Sequence, residues 1–173
     1  TVKIAYQPRL EKESDIHLNR EMLQVFLETE LEEIPEAFRQ PVEESIKKRL
    51  NIVKIFLENP KRIAKIASDI TDHFTENVDG RFKAMVVAVS RKGCVLYKRE
   101  LDKLLPPEYS EIVMTYQPDE RDKLIDIYKH GVMEANPGYD AGEINTDIRE
   151  RFKDEENPRI LIVTDKLLTG FDA

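Results

Sequence analysis

One cysteine and no tryptophan occur in these 173 residues, and no apolar run approaches the 18 or so residues of a membrane span. A single thiol, Cys94, excludes an intramolecular disulfide framework and a cysteine-based zinc site, and fits a reducing compartment; the cytoplasm is the expected location. The opening TVKIAYQPRL lacks the basic, apolar and small-residue order of a signal peptide. Only six glycines are present, with neither a G-x-x-x-x-G-K-[ST] nor a G-x-G-x-x-G loop among them, so nothing here cradles a nucleotide triphosphate alone. Strand-borne carboxylates of a nuclease are missing too. His17, His73 and His130 stand far apart without ligand spacing, which argues against a metal site.

What is present is charge and a buried core. Charged residues make up 35% and the net charge is -7, so indiscriminate coating of nucleic acid is excluded and any such contact must be local. A hydrophobic content of 40% is enough to bury a core. Without an initiator Met, and stopping just after a glycine turn, the chain reads as a segment of a longer protein.

Residues 1–80 read as an entry strand (Val2, Ile4, Tyr6) followed by helices. Their apolar stripes are Leu18, Met22, Val25, Phe26; then Ile46, Leu50, Val53, Leu57; then Ile63, Ile66, Ile70, Phe74. Asn59-Pro60 supplies a cap and a first-turn proline for the third helix. Residues 81–173 change texture. AMVVAV, rich in β-branched residues, predicts a strand buried on both faces. Ser90 to Gly93 make a turn; Cys94, Tyr97, Leu101 and Leu104 continue as a helix up to Pro106-Pro107, and a second strand runs from Glu111 to Tyr116. Residues 117–143 read as a polar excursion with a short helical stretch around Leu124 to Tyr128. A helix carrying Ile144, Ile148 and Phe152 then leads to a third strand, Ile160 to Val163. The alternation predicts an α/β fold, a partial doubly wound parallel sheet with an N-terminal helical segment.

In such sheets ligands gather at the carboxyl ends of strands. The turn Ser90-Arg91-Lys92-Gly93 is one candidate, because Lys83, Arg91, Lys92, Lys98, Arg99 and Lys103 face only Glu100 and Asp102 in the same stretch. Hydroxyl, guanidinium and ammonium there suit a phosphate, although a solvated helix start would look the same. The other candidate is Thr164 to Asp172, with two hydroxyls, Thr164 and Thr169, besides Gly170 and Asp172. ILIVTD could pass for a magnesium-binding strand end, but Lys166 follows Asp165 where a second acid is needed.

RILIVTDKLLTGFDA resembles motif V of superfamily 2 helicases and translocases, and its Thr-Gly-Phe-Asp form is similar to that of the restriction (R) subunit of type I restriction-modification enzymes. KAMVVAVSRKGCVLYKREL resembles motif IV with its following helix, and DIRERFKDEENPRILIV and TVKIAYQPRL fit the same subfamily. The resemblance implies an incomplete RecA-like second lobe (81–173) of an ATP-dependent translocase of double-stranded DNA. Its partners would be methyltransferase and specificity subunits. It implies DNA-backbone contacts at Ser90, Arg91, Thr164 and Thr169, and nucleotide contacts at Gly170 and Asp172. ATP and Mg2+ would be held mostly by a first lobe whose P-loop and Asp-Glu box have no counterpart here, and a nuclease domain would cleave. The fragment itself would have no catalytic residue. Two other readings stand beside it: the second lobe of another superfamily 2 translocase, and a non-enzymatic doubly wound interaction module. In such a lobe Ile160 to Val163 is expected to pair, on its far side, with a strand beyond residue 173. In this chain that edge is expected to be covered by Thr1 to Tyr6, by helices or by another copy.

With two or three hydrogen bonds of about 1 kcal/mol each against an association cost of about 4 kcal/mol or more, the chain alone is expected to bind ATP no tighter than about millimolar. Titration calorimetry checks this; a micromolar dissociation constant contradicts it.

Overall fold

A computed structural model describes residues 56–164. The chain divides into two compact units, Thr1–Phe56 and Leu57–Ala173, and the helices and strands described belong to the second. The expected entry strand, the first two helices and everything beyond Thr164 lie outside the described residues.

Helix α1, Pro60–His73, starts as its sequence dictates. The Asn59 side chain accepts from the N–H groups of Lys61 (3.0 Å) and Arg62 (3.2 Å), and Pro60 occupies the first turn, where its missing N–H costs nothing. Ile63, Ala67 and Phe74 face inward. A π-helical turn, Phe74–Val78, ends it, and Gly80 (φ 73°) turns the chain toward strand β1, Ala84–Ala88. Helix α2, Arg91–Leu101, follows directly. Ser90 is its N-cap, accepting from Gly93 N at 3.0 Å, so Arg91 to Gly93 form a first helical turn and not the loop the sequence suggests. A 3-10 turn, Pro107–Tyr109, leads into β2, Ser110–Val113.

The polar excursion holds a full helix, α3, Lys123–Ala135. Asp122 caps it by accepting from Leu124 N (2.9 Å) and Ile125 N (3.4 Å). Its length was masked in the sequence by Gly131, an exposed glycine inside the helix that lowers its helical propensity. Helix α4, Ala141–Asp154, opens with a capping box: Asp140 accepts from Glu143 N at 2.8 Å, and Glu143 accepts from Asp140 N at 2.8 Å. Strand β3 is Ile160–Thr164.

The three strands form a parallel sheet in the order β1-β3-β2. The expectation that the far edge of β3 is covered by Thr1 to Tyr6, by helices or by another copy is therefore overturned: β3 is the middle strand, with Ala84 to Ala88 paired to Ile160 to Thr164 on one side and Ser110 to Val113 to Ile160 to Val163 on the other. Ile160 to Val163 are all buried, since both faces are covered. On one face Ile160, Ile162, Val86, Ala88 and Ile112 meet Ala67 of α1, Cys94, Val95 and Leu101 of α2 and Ile125 of α3. On the other, Leu161, Val163 and Val113 meet Ile144 and Ile148 of α4. The arrangement is α/β, with helices on both faces of a small parallel sheet. Burial of β1 on both faces is corrected too, because Val87 is 47% and Val89 45% exposed. No helix among the described residues is long and apolar enough to cross a membrane.

Two polar devices tie the layers, the first of them buried. Lys98 of α2 donates to Asp102 (2.6 Å) and to Pro107 O (2.8 Å), while Ser110 donates to Asp102 (3.3 Å), which fixes the turn entering β2. Lys83, at the entry to β1, donates to the carbonyls of Arg151 (3.4 Å), Phe152 and Glu155, closing the C-terminus of α4.

Glu111 lies part-buried on β2, and its carboxyl is pushed above the usual range. Burial is the main cause; Lys98 and Arg151 oppose it, and Asp102 and Asp147 add to it. Its folded pKa exceeds its unfolded one, so its protonated form favours folding at low pH and that advantage is lost as pH rises through the folded pKa. Glu111→Gln is therefore expected to raise the melting temperature at pH 7 and to leave it nearly unchanged at about pH 3.5. Thermal melts at the two pH values check this; an equal gain at both contradicts it.

Candidate nucleic-acid interface

Parallel pairing puts the carboxyl ends of all three strands on one edge of the sheet. There the register sets Thr164 beside Ala88, two residues before Ser90. Two of the sequence candidates are thus brought to one edge by strand pairing alone: the Ser90-Arg91 turn and Thr164. Thr164 is part-buried at the end of the middle strand. Thr169, Gly170 and Asp172 lie outside the described residues.

The positive stretch from Lys83 to Lys103 does not form one patch in space. Lys83 sits at the amino end of β1, and the whole strand, roughly 16 Å long, separates it from the Ser90 end. Lys98 is buried against Asp102, and Lys103 pairs with Glu100 at 2.6 Å. Only Arg91 and Lys92 of the six stand at the carboxyl edge, and carboxylates from elsewhere in the chain face both. Arg91 donates through Nη1 to Glu120 Oε2 and through Nη2 to Glu120 Oε1 (3.3 Å), with Thr115 O also within 3.3 Å. Lys92 Nζ lies 3.8 Å from Asp122. The Ser90 hydroxyl donates to Glu58, immediately before α1. Sequence reading missed these three acids, since each lies about thirty positions from its partner.

Glu120 is nearly enclosed, with its side chain 3% exposed against 23% for Arg91. Burial works to raise its pKa, but the hydrogen bond and charge of Arg91, helped by backbone hydrogen bonds at Asp122 and Gln117, overcome this and hold the carboxyl below its usual range. Gly93 keeps the turn close to the sheet; a Cβ there would stand 3.4 Å from both the Ala88 Cβ and the Ser90 Oγ. Cys94, next in the helix, is fully buried and its thiol is pushed up to about 12 by burial, which removes it as a nucleophile.

A concavity of about 450 Å³ lies at the opposite, amino edge, lined by residues that include Arg81, Phe82, Lys153 and Arg159. Arg159 is committed there, to Asp79 at 2.6 Å, to Glu156, and to the Tyr109 ring at 4.3 Å. Asp154 and Glu155 act on Lys83 as well, so the positive charge of this lining is countered in part.

Two proteins of Methanocaldococcus jannaschii are similar to this chain. The one named "Putative type I restriction enzyme MjaVIIP endonuclease subunit" is 48% identical over 134 residues, 73% of this chain. The one named "Putative type I restriction enzyme MjaVIIIP endonuclease subunit" is 38% identical over 125 residues, 68% of this chain. The similarity supports a type I restriction system protein. In both cases the match spans 12% of the longer protein. No family model matches the chain, and no solved structure matches it significantly.

Glu120 has a folded pKa below its unfolded one, so its contribution to stability is present at neutral pH and is lost as pH falls through the folded value. Glu120→Ala is expected to cost about 1–3 kcal/mol at pH 7, with the deficit shrinking in acid. Denaturant titrations check this; a deficit that grows on acidification contradicts it.

Proposed function

We propose that the chain is part of the second RecA-like motor lobe of a type I restriction endonuclease subunit, an ATP-dependent translocase of double-stranded DNA. The observation that carries this reading is the sheet register: the segment resembling motif V ends in Thr164 on the middle strand, and the segment resembling motif IV ends in Ser90-Arg91 on the same edge. Relatives named as type I restriction enzyme endonuclease subunits support it.

Ser90, Arg91, Thr164 and Thr169 are then the groups that meet the DNA backbone. Their chemistry is hydroxyl and guanidinium donation to phosphate oxygens, which positions the duplex without reading its sequence. Recognition of a particular DNA site belongs to a specificity subunit, and modification to a methyltransferase subunit. Gly170 and Asp172 face a nucleotide held mainly by a first lobe, which supplies the phosphate cradle and Mg2+. Phosphoryl transfer depends on positioning by those groups, so this chain alone hydrolyses nothing and acts as one wall of an interlobe site, in the cytoplasm.

Thr164 separates this reading from a purely structural one. In the complete subunit, Thr164→Val is expected to lower ATP-driven translocation about tenfold or more, since it removes a phosphate donor while keeping the shape, and Thr164→Ser to retain most of it. A triplex-displacement assay reads the rate. Wild-type translocation by the valine variant overturns the assignment, as does DNA-stimulated ATP hydrolysis by the isolated chain.

A further inference from the structure

All three donors of the turn after β1 face carboxylates: Ser90 faces Glu58, Arg91 faces Glu120 and Lys92 faces Asp122. Two positive charges are met by three negative ones. The acids come from two separate segments, the residues entering α1 and the loop between β2 and α3, so the match is made by the fold and not by neighbours in sequence. Carboxylate and phosphate oxygens accept from the same donors, and Glu120 engages both Nη atoms of Arg91, as a phosphate would.

We infer that Glu58, Glu120 and Asp122 act as an internal mimic of a nucleic-acid phosphate. They occupy the donors at Ser90, Arg91 and Lys92 and must be displaced before a DNA backbone can take their place. This rests on the DNA-facing role proposed for Ser90 and Arg91. Its consequence is a lobe that holds DNA weakly until the loop at residues 117–122 moves away. An enclosed Arg91-Glu120 pair resists that opening, and the more open Lys92-Asp122 pair yields first.

The test compares the wild-type chain with Glu58→Gln/Glu120→Gln/Asp122→Asn, using fluorescence anisotropy of a short labelled DNA duplex at several salt concentrations. Release of two cations is expected to tighten binding about tenfold or more at low salt and to steepen the logarithmic salt dependence by about 2. A control, Glu76→Gln/Glu108→Gln/Glu134→Gln, changes net charge equally at exposed positions and is expected to gain far less. Adding Arg91→Ala to the first variant is expected to remove most of its gain and about 1 of the added salt slope, leaving the share of Lys92. An equal gain in the control overturns the inference, as does no gain in the first variant while its circular dichroism shows it folded at the assay temperature. If the triple variant unfolds, Glu120→Gln alone decides, since it keeps an acceptor for Arg91; a smaller gain supports the inference and none overturns it. A wild-type chain that already binds duplex tightly, and loses it on Arg91→Ala, overturns the mimic while leaving the DNA-facing role intact.

Discussion

Everything at the carboxyl edge depends on the placement of β3 between β1 and β2. A strand with neighbours on both sides and helices on both faces satisfies its backbone groups through parallel ladders and buries its side chains completely, which is why Ile160 to Val163 are apolar without a break. The same pairing fixes the register that sets Thr164 beside Ala88. A slip by one residue would turn every side chain of β3 to the opposite face, exchanging Ile160 and Ile162 with Leu161 and Val163 between the two cores.

Around this strand the charged residues serve the structure first. Lys83 closes a helix end, Lys98 holds the turn into β2, and Arg159 bridges to Asp79 while stacking on Tyr109. Among the described residues Lys83, Lys98 and Arg159 thus commit their charge to internal contacts. What is left at the carboxyl edge, Arg91 and Lys92, is small and locally countered.

Much of the fold was legible because its signals are local. The Asn59-Pro60 start of α1, the Ile144, Ile148, Phe152 stripe of α4 and the unbroken apolar run of β3 each declare themselves within a few residues. Strand order did not, since nothing in Ile160 to Val163 says which strands flank it; β2, and not Thr1 to Tyr6, helices or another copy, covers the edge expected to need such cover. AMVVAV read as buried on both faces because β-branched residues look alike in covered and half-covered strands, yet Val87 is half exposed. At the candidate site, the hydroxyl and guanidinium were visible in the sequence. The carboxylates opposite them were not, because only the fold brings Glu58, Glu120 and Asp122 to that turn.

Native-state hydrogen exchange of the chain tests the central placement of β3 most directly. The amides of Leu161, Ile162 and Val163 are expected to exchange only through global unfolding, with opening free energies equal to the stability from denaturant titration. Exchange of these amides through local opening, faster than that of the α1 and α2 amides packed on the same core, would contradict a β3 held on both sides and with it the edge that brings Thr164 to Ser90 and Arg91.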